Sequence, residues 1–338
     1  MNLSGETITV FGGSGFLGGR IVRQLIELNC GKIKCFNRSP VPLLEKAGVE
    51  VIRGDIREPG AVNDACRGST AVIHTSAKAG VWGSWKEYYG INVEGTMNVL
   101  AACKFNEIHH LVYTSSPSVA YLPSHDVNNL DESAAYPDSY IAPYPATKAI
   151  AEKKVLGAPD KELSVVVLRP HLLWGPGDPH LLPRIIRKAA AGKLMRIGDG
   201  HNLVDLTYID NAVFAHLKAL EYLKNCEKPR RKVFFISDNL PVRIWEWLNE
   251  LLEKLSIPPV TKSMTYDKAY RLGLIFELIY RAVPFLGEPP VTRFVAGQLA
   301  FSHYFNISAA VNELGYRPVT IPAVGMADTV EWLKKYVL

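Results

Sequence analysis

The stretch ITVFGGSGFLGGRIVRQLIEL, Ile8 to Leu28, decides the fold. It opens as a β-branched apolar run, passes through a glycine turn, and continues with apolar residues at helical spacing. Gly12, Gly15 and Gly18 form a GxxGxxG pattern at the strand-to-helix junction. Without side chains there, the backbone can approach a pyrophosphate, and the helix that Phe16 and Leu17 begin offers unpaired N–H groups to it. The same glycines alone would also suit any tight βα turn. Their place between a strand and a helix favours a dinucleotide site.

The next strand is KIKCFNRS. A site for NAD places an acidic residue near the end of this strand to bind the ribose 2′-hydroxyl. Here the chain has Asn37 and then Arg38, an amide that would tolerate a 2′-phosphate and a guanidinium that would bind it. NADP(H) is therefore the expected cofactor and NAD(H) the alternative, with Arg38 as a plain solvated loop residue the competing reading. VEVIRGDI, AVIHTSA, HLVYTSSPSV and LSVVVLRP follow as further strands, separated by helical segments such as NVEGTMNVLAACKFN. This alternation predicts a Rossmann-type α/β fold, a doubly wound parallel sheet spanning residues 1–175. Ligands lie at the carboxyl ends of such strands, where Asp55, Ser76, Ser116 and Pro170 fall. Ala77 and Lys78 follow Ser76 and join the expected cofactor contacts.

At 338 residues the chain is long enough for a large core and a smaller lobe. A net charge of +5 is small for this length, and KPRRK (Lys228–Lys232) is an isolated basic run, which argues against nucleic acid as a partner. The five cysteines are scattered with no CxxC pair, so neither a disulfide framework nor a metal centre is expected. The start reads as a strand and turn rather than a signal peptide, and no uninterrupted apolar span is present. The expected location is the cytoplasm.

YPATK, Tyr144 to Lys148, puts a tyrosine and a lysine one helical turn apart on one face. Such a pair can move a proton. Reduction of a carbonyl needs hydride from a nicotinamide and a proton for the developing alkoxide, and a phenol can donate the latter. Its usual pKa of about 10 is high for exchange at neutral pH, and a lysine cation nearby would lower it. A serine hydroxyl from the strand ending at Ser115–Ser116 would polarise the carbonyl.

GGSGFLG, Gly54–Asp55, INVEGT, YTSSPSV, YPATK and LRPHLLWGPGD together resemble the extended short-chain dehydrogenases/reductases from the glycine turn into the C-terminal region. That resemblance implies Tyr144 as acid/base, Lys148 as ribose ligand and tuner of Tyr144, and Ser116 as the catalytic serine, with Ser115 as runner-up. It also places Asp55 and Ile56 beside the adenine, gives Asn92 a supporting role for the active-site helix, and implies a homodimer. Phe11 replaces a more usual threonine, and HTSA (74–77) departs from the commoner pattern. LRPHLLWGPGDPHLLPRI is similar to the 3β-hydroxysteroid dehydrogenase branch. SAKAGVWGSW, GDGHNLVDLTYIDNAVFAH and PPVTRFVAGQLAFSHYFN are similar to bacterial 2-alkyl-3-oxoalkanoate reductases, which implies NADPH-dependent reduction of a β-keto acid in long-chain olefin biosynthesis. A sterol or steroid dehydrogenase, a nucleotide-sugar epimerase or dehydratase, and a non-catalytic NADP sensor are the alternatives.

From about residue 176 the alternation breaks down, and residues 176–338 are expected to be mainly a substrate-binding lobe with some late strands, such as KVFFIS, returning to the sheet. Trp82, Trp85 and Trp174, on expected loops at the strand ends, suggest an apolar wall for a lipid-like substrate. His171 and Arg293 are candidates to meet a carboxylate, with a pocket hydrogen bond and a structural ion pair as their plainer readings. AYRLGLIFELIYRAVPFL, Ala269 to Leu286, is interrupted by Arg271, Glu277 and Arg281 and so does not span a bilayer. It is expected either as an ordinary core helix or as an amphipathic lid over long acyl chains that touches a membrane surface or partner enzyme.

Overall fold

The computed structural model describes residues 1–179 and 181–338, with nothing of the Pro284 side chain. Seven strands build the main sheet: β1 (Thr7–Phe11), β2 (Lys32–Asn37), β3 (Glu50–Arg53), β4 (Ala71–His74), β5 (His110–Thr114), β6 (Ser164–Pro170) and β7 (Arg231–Ile236). Their order is β3-β2-β1-β4-β5-β6-β7 and every pairing is parallel. Side chains alternate across it as a strand requires. Ile8, Val10, Val112, Val166 and Leu168 enter one apolar layer, while Phe11, Leu111, Tyr113, Val165 and Val167 enter the other. Burial on both faces explains why these strands read as nearly continuous apolar runs.

Six helices matter for the site: α1 (Phe16–Glu27), α2 (Gly95–Phe105), α3 (Pro143–Leu156), α4 (Ile209–Lys224), α5 (Tyr266–Ala282) and α6 (Arg293–Ala300). α1 and α4 contribute Ile21, Val22, Leu25, Ile209 and Ala212 to the first layer. α2 and α3 contribute Val99, Ala102, Cys103, Ala151 and Val155 to the second. The strand order reverses at β1, which lies between β2 and β4, and this opens the crevice where ligands bind in such sheets.

The remaining short strands pair outside the main sheet. A four-stranded sheet joins Val127–Leu130, Leu203–Val204, Val242–Arg243 and His303–Phe305. Arg196–Ile197 pairs with Ser263–Met264, and Leu173–Trp174 with Thr207–Tyr208. α5 packs its small residues Ala269 and Gly273 inward. A side chain at 273 would come 2.7 Å from the Arg293 nitrogen, so glycine permits the close approach of α5 to α6. The outer stripe of α5, Leu274, Ile275, Leu278 and Ile279, is exposed, as are Phe285 and Leu286. This segment is thus not the core helix that its composition allowed. Among the described residues no helix is long and apolar enough to cross a membrane.

Candidate active site

The glycine turn joins β1 to α1 directly above the reversal point. Gly12 has φ 84°, and a Cβ at Gly18 would lie 2.2 Å from the Gly12 carbonyl oxygen. Gly13, which the sequence pattern did not single out, has as little room, since its Cβ would meet the Cys35 sulfur at 2.3 Å. At the helix start Gly15 brings no capping side chain, leaving the first-turn N–H groups for an anion. Phe16 is half-buried and Leu17 buried. This bare, tightly folded cradle fits a pyrophosphate.

Asn37 is buried under the turn, and its Oδ1 accepts from the Ser14 N–H at 2.8 Å while its amide nitrogen faces the Cys35 sulfur. It therefore braces the glycine turn at the end of β2. Arg38 is exposed at the end of β2. Asp55 is held by Arg57 through two side-chain bonds of 2.9 and 2.6 Å, and these hold its carboxyl down at about 2. Ile56 is buried. Ser76, half-buried, approaches the turn, where its hydroxyl would meet a Cβ at Gly12 at 2.9 Å. Ala77 is exposed, and the Lys78 ammonium pairs with Glu87 at 2.8 Å. Pro170 ends β6 and is buried.

Pro143 starts α3 at a position where its missing N–H costs nothing. One residue later Tyr144 emerges half-buried beside Ser116. Burial raises the Tyr144 hydroxyl above its usual range, and the Ser116 hydroxyl beside it pulls the other way. Ser116 is also 2.8 Å from the Ser118 hydroxyl. Lys148 lies one turn on, fully enclosed, and donates to the Tyr113 hydroxyl at 2.9 Å and the Thr114 carbonyl at 2.6 Å. Its ammonium also sits 4.4 Å from the centre of the Tyr113 ring. Burial holds Lys148 down to about 7, with Glu152 opposing. Asn92, on a π-helical turn before α2, accepts from the Lys78 N–H at 2.7 Å and donates to the Thr147 hydroxyl at 3.0 Å, tying the β4 loop to α3.

A cavity of ≈ 340 Å³ opens beside Pro143, bounded by Val81–Ser84, Ile141–Pro143, Thr292 and Phe294, with Glu277, Tyr280 and Arg281 from α5. Trp82 lines it. The other two tryptophans do not. Trp85 is exposed against Tyr89, while Trp174 is buried on Tyr208 and Trp247, with its indole N–H directed to Asp238. His171 also turns out to be interior: it meets His303 at 2.7 Å, and burial drives it well below the usual histidine range, so it carries no charge for a carboxylate. Arg293 is already engaged, donating to Glu277 through its backbone N–H at 2.8 Å and its side chain at 3.0 and 2.8 Å.

Sequence reasoning missed a buried network behind the site. Glu152 accepts from Ser115, from Tyr136 at 2.6 Å and from Arg169. Ser115 is therefore committed to Glu152, which leaves Ser116 as the serine at Tyr144. The signal was available in the spacing: Glu152 follows Lys148 by four residues and so shares its inward face.

The model of the 3-beta hydroxysteroid dehydrogenase/isomerase family matches residues 9–265. The chain is 44% identical over 97% of its length to a 2-alkyl-3-oxoalkanoate reductase of Stenotrophomonas maltophilia, covering 98% of that protein. It is 42% identical over 94% of its length to a protein of the same name from Shewanella oneidensis, covering 84% of it. A mouse sterol-4-alpha-carboxylate 3-dehydrogenase, decarboxylating, is 31% identical over 96% of this chain and 90% of its own. Among solved structures, MoeE5 in complex with UDP-glucose and NAD shares the fold with a TM-score of 0.75 at 24% identity, over 98% of this chain and all of that one. The chain belongs to the 3-beta hydroxysteroid dehydrogenase/isomerase family and is an NAD(P)-dependent oxidoreductase of the extended short-chain kind, acting between an alcohol and a carbonyl.

Proposed function

We propose that the protein uses NADPH to reduce the 3-keto group of a 2-alkyl-3-oxoalkanoate to the 3-hydroxy acid, within long-chain olefin biosynthesis. The observation that carries this reading is the pairing of Ser116 with Tyr144, the residue directly after Pro143, which lines a cavity walled by Trp82, Ile141, Tyr280 and Phe294. An apolar wall suits acyl chains, whereas a sugar nucleotide needs a denser set of polar contacts. Two relatives above 40% identity that carry this reductase's name support the substrate class. Bound NADPH would supply the hydride. Gly12, Gly15 and Gly18 would admit its pyrophosphate, and Lys148 would hold its ribose. Arg38 would meet the 2′-phosphate, and the pairing of Asp55 with Arg57 leaves no unneutralised carboxylate at Asp55 to repel it. Ser116 orients the ketone oxygen, and Tyr144 gives it a proton from its hydroxyl.

A panel of NADPH and NADH, each with a 2-alkyl-3-oxo acid, a sterol and a UDP-sugar, tests this directly. The expected result is oxidation of NADPH with the keto acid at least tenfold faster than any other pair. Preferential turnover of the sterol with NAD, or of the sugar nucleotide, would replace the reading.

The inner face of α5, with Tyr280 on the cavity, acts in this reading as a lid over the alkyl chains. Tyr280→Ala should raise KM for a long-chain keto acid about tenfold, through lost apolar contact, and leave a short β-keto acid unaffected. Equal losses on both substrates would refute the lid.

A further inference from the structure

We infer that Arg281 is the residue that recognises the substrate's carboxylate, and that by pairing it Arg281 keeps the β-keto acid from losing carbon dioxide before it is reduced. This rests on the keto-acid reading above. Arg281 lies in the last turn of α5 and is the one cation on the cavity wall among the described residues. The acidic residue beside it, Glu277, is spent on Arg293, so the wall as a whole remains positive. Arg281 itself has no carboxylate partner among the described residues. Its guanidinium lies 5.8 Å from the centre of the Trp82 ring. A cation–π contact with an indole leaves the N–H donors of a guanidinium unused, so the fork stays open for a bidentate acid.

The position matters because a β-keto acid is labile. Decarboxylation breaks the bond between C2 and the carboxyl carbon; the electron pair moves to form the C2–C3 double bond, the ketone oxygen takes the charge or a proton, and carbon dioxide departs neutral. The protonated acid does this readily by handing its own proton to the ketone. A guanidinium partner keeps the acid ionised, which closes that route. It also opposes the ionic route, because the ion pair must be given up as the neutral gas forms. Tyr144 and Ser116, gathered around the ketone oxygen, would otherwise favour enolate charge there as readily as alkoxide charge. A paired carboxylate therefore lets one oxygen-stabilising site serve reduction alone.

Arg281→Met keeps the apolar stem and removes the fork. It should raise KM for the 2-alkyl-3-oxo acid about 10- to 100-fold, with kcat changed less than threefold and KM for the methyl ester unchanged. Arg281→Lys should recover part of the loss, as a point charge without the fork. With protein in excess and NADP+ in place of NADPH, carbon dioxide release should fall below the buffer rate for the wild type and return to or exceed it for Arg281→Met. An equal KM for the acid in both proteins overturns the recognition, and equal release rates overturn the protection. Should the wild type reduce no keto acid at all, the underlying reading fails instead, and the panel shows this before any variant is made.

Discussion

Replacing Tyr144 with phenylalanine should reduce kcat by 10²- to 10⁴-fold while NADPH binds within about threefold of the wild-type affinity. The change removes one oxygen atom from a half-buried ring and leaves the ring itself, so thermal stability should be unaltered. Pro143, the residue before Tyr144, lines the cavity, and Ser116 stands beside the Tyr144 hydroxyl. Ser115 is bound to Glu152, and Lys148 points to the Tyr113 hydroxyl and the Thr114 carbonyl. Ser116 keeps its place and can still orient the ketone, but its hydroxyl is a far weaker acid than a phenol. Single-turnover reduction with fluorescence titration of NADPH separates chemistry from binding. Turnover near the wild-type rate in this variant would remove Tyr144 from the reaction.

The parts of this site that could be read from the sequence are those set by neighbours along the chain. The glycine turn follows from a rule about φ and the absence of Cβ, and the Tyr144–Lys148 pair from the pitch of a helix. The strand alternation gave the sheet for the same reason. What escaped is set by contacts between distant segments. Trp174 sits in a turn-rich run that reads as a loop, yet it is a two-residue strand whose pairing with Thr207–Tyr208 carries the indole into the core. His171 meets a histidine 132 positions away, and no local pattern announces that. Arg293 was the sequence candidate for a carboxylate and Arg281 only a charge breaking an apolar run, yet the packing of α5 on α6 gives Glu277 to the first and leaves the second on the cavity. The apolar stripe of α5 was legible, but the side of it that faces solvent was not.

The largest expected loss of stability comes from Glu152. Its side chain is wholly inaccessible, Arg169 is only 2% exposed, and the two are joined through both carboxylate oxygens. Glu152→Ala would strand a guanidinium whose Nη1 already lacks an acceptor among the described residues, and would also leave the Ser115 and Tyr136 hydroxyls without theirs. Breaking one half of a buried ion pair costs about 3–5 kcal/mol, so the variant should lose about that much in urea denaturation, and activity with it. A pair is expensive to bury, however, and replacing both members with apolar residues is often neutral. The double variant Glu152→Leu with Arg169→Met should therefore regain most of the stability. Activity should not return with it. Glu152 lies one turn past Lys148 and favours its charged form, while its bond to Ser115 anchors the residue next to Ser116. Losing the carboxylate removes both the opposing charge and the anchor, whatever fills the space. If the single variant unfolds within 1 kcal/mol of the wild type, the network is not the brace described here. If the double variant recovers activity along with stability, the ion pair serves the fold alone, and Lys148 and Ser116 are held in place by Tyr113, Thr114 and Ser118 without it.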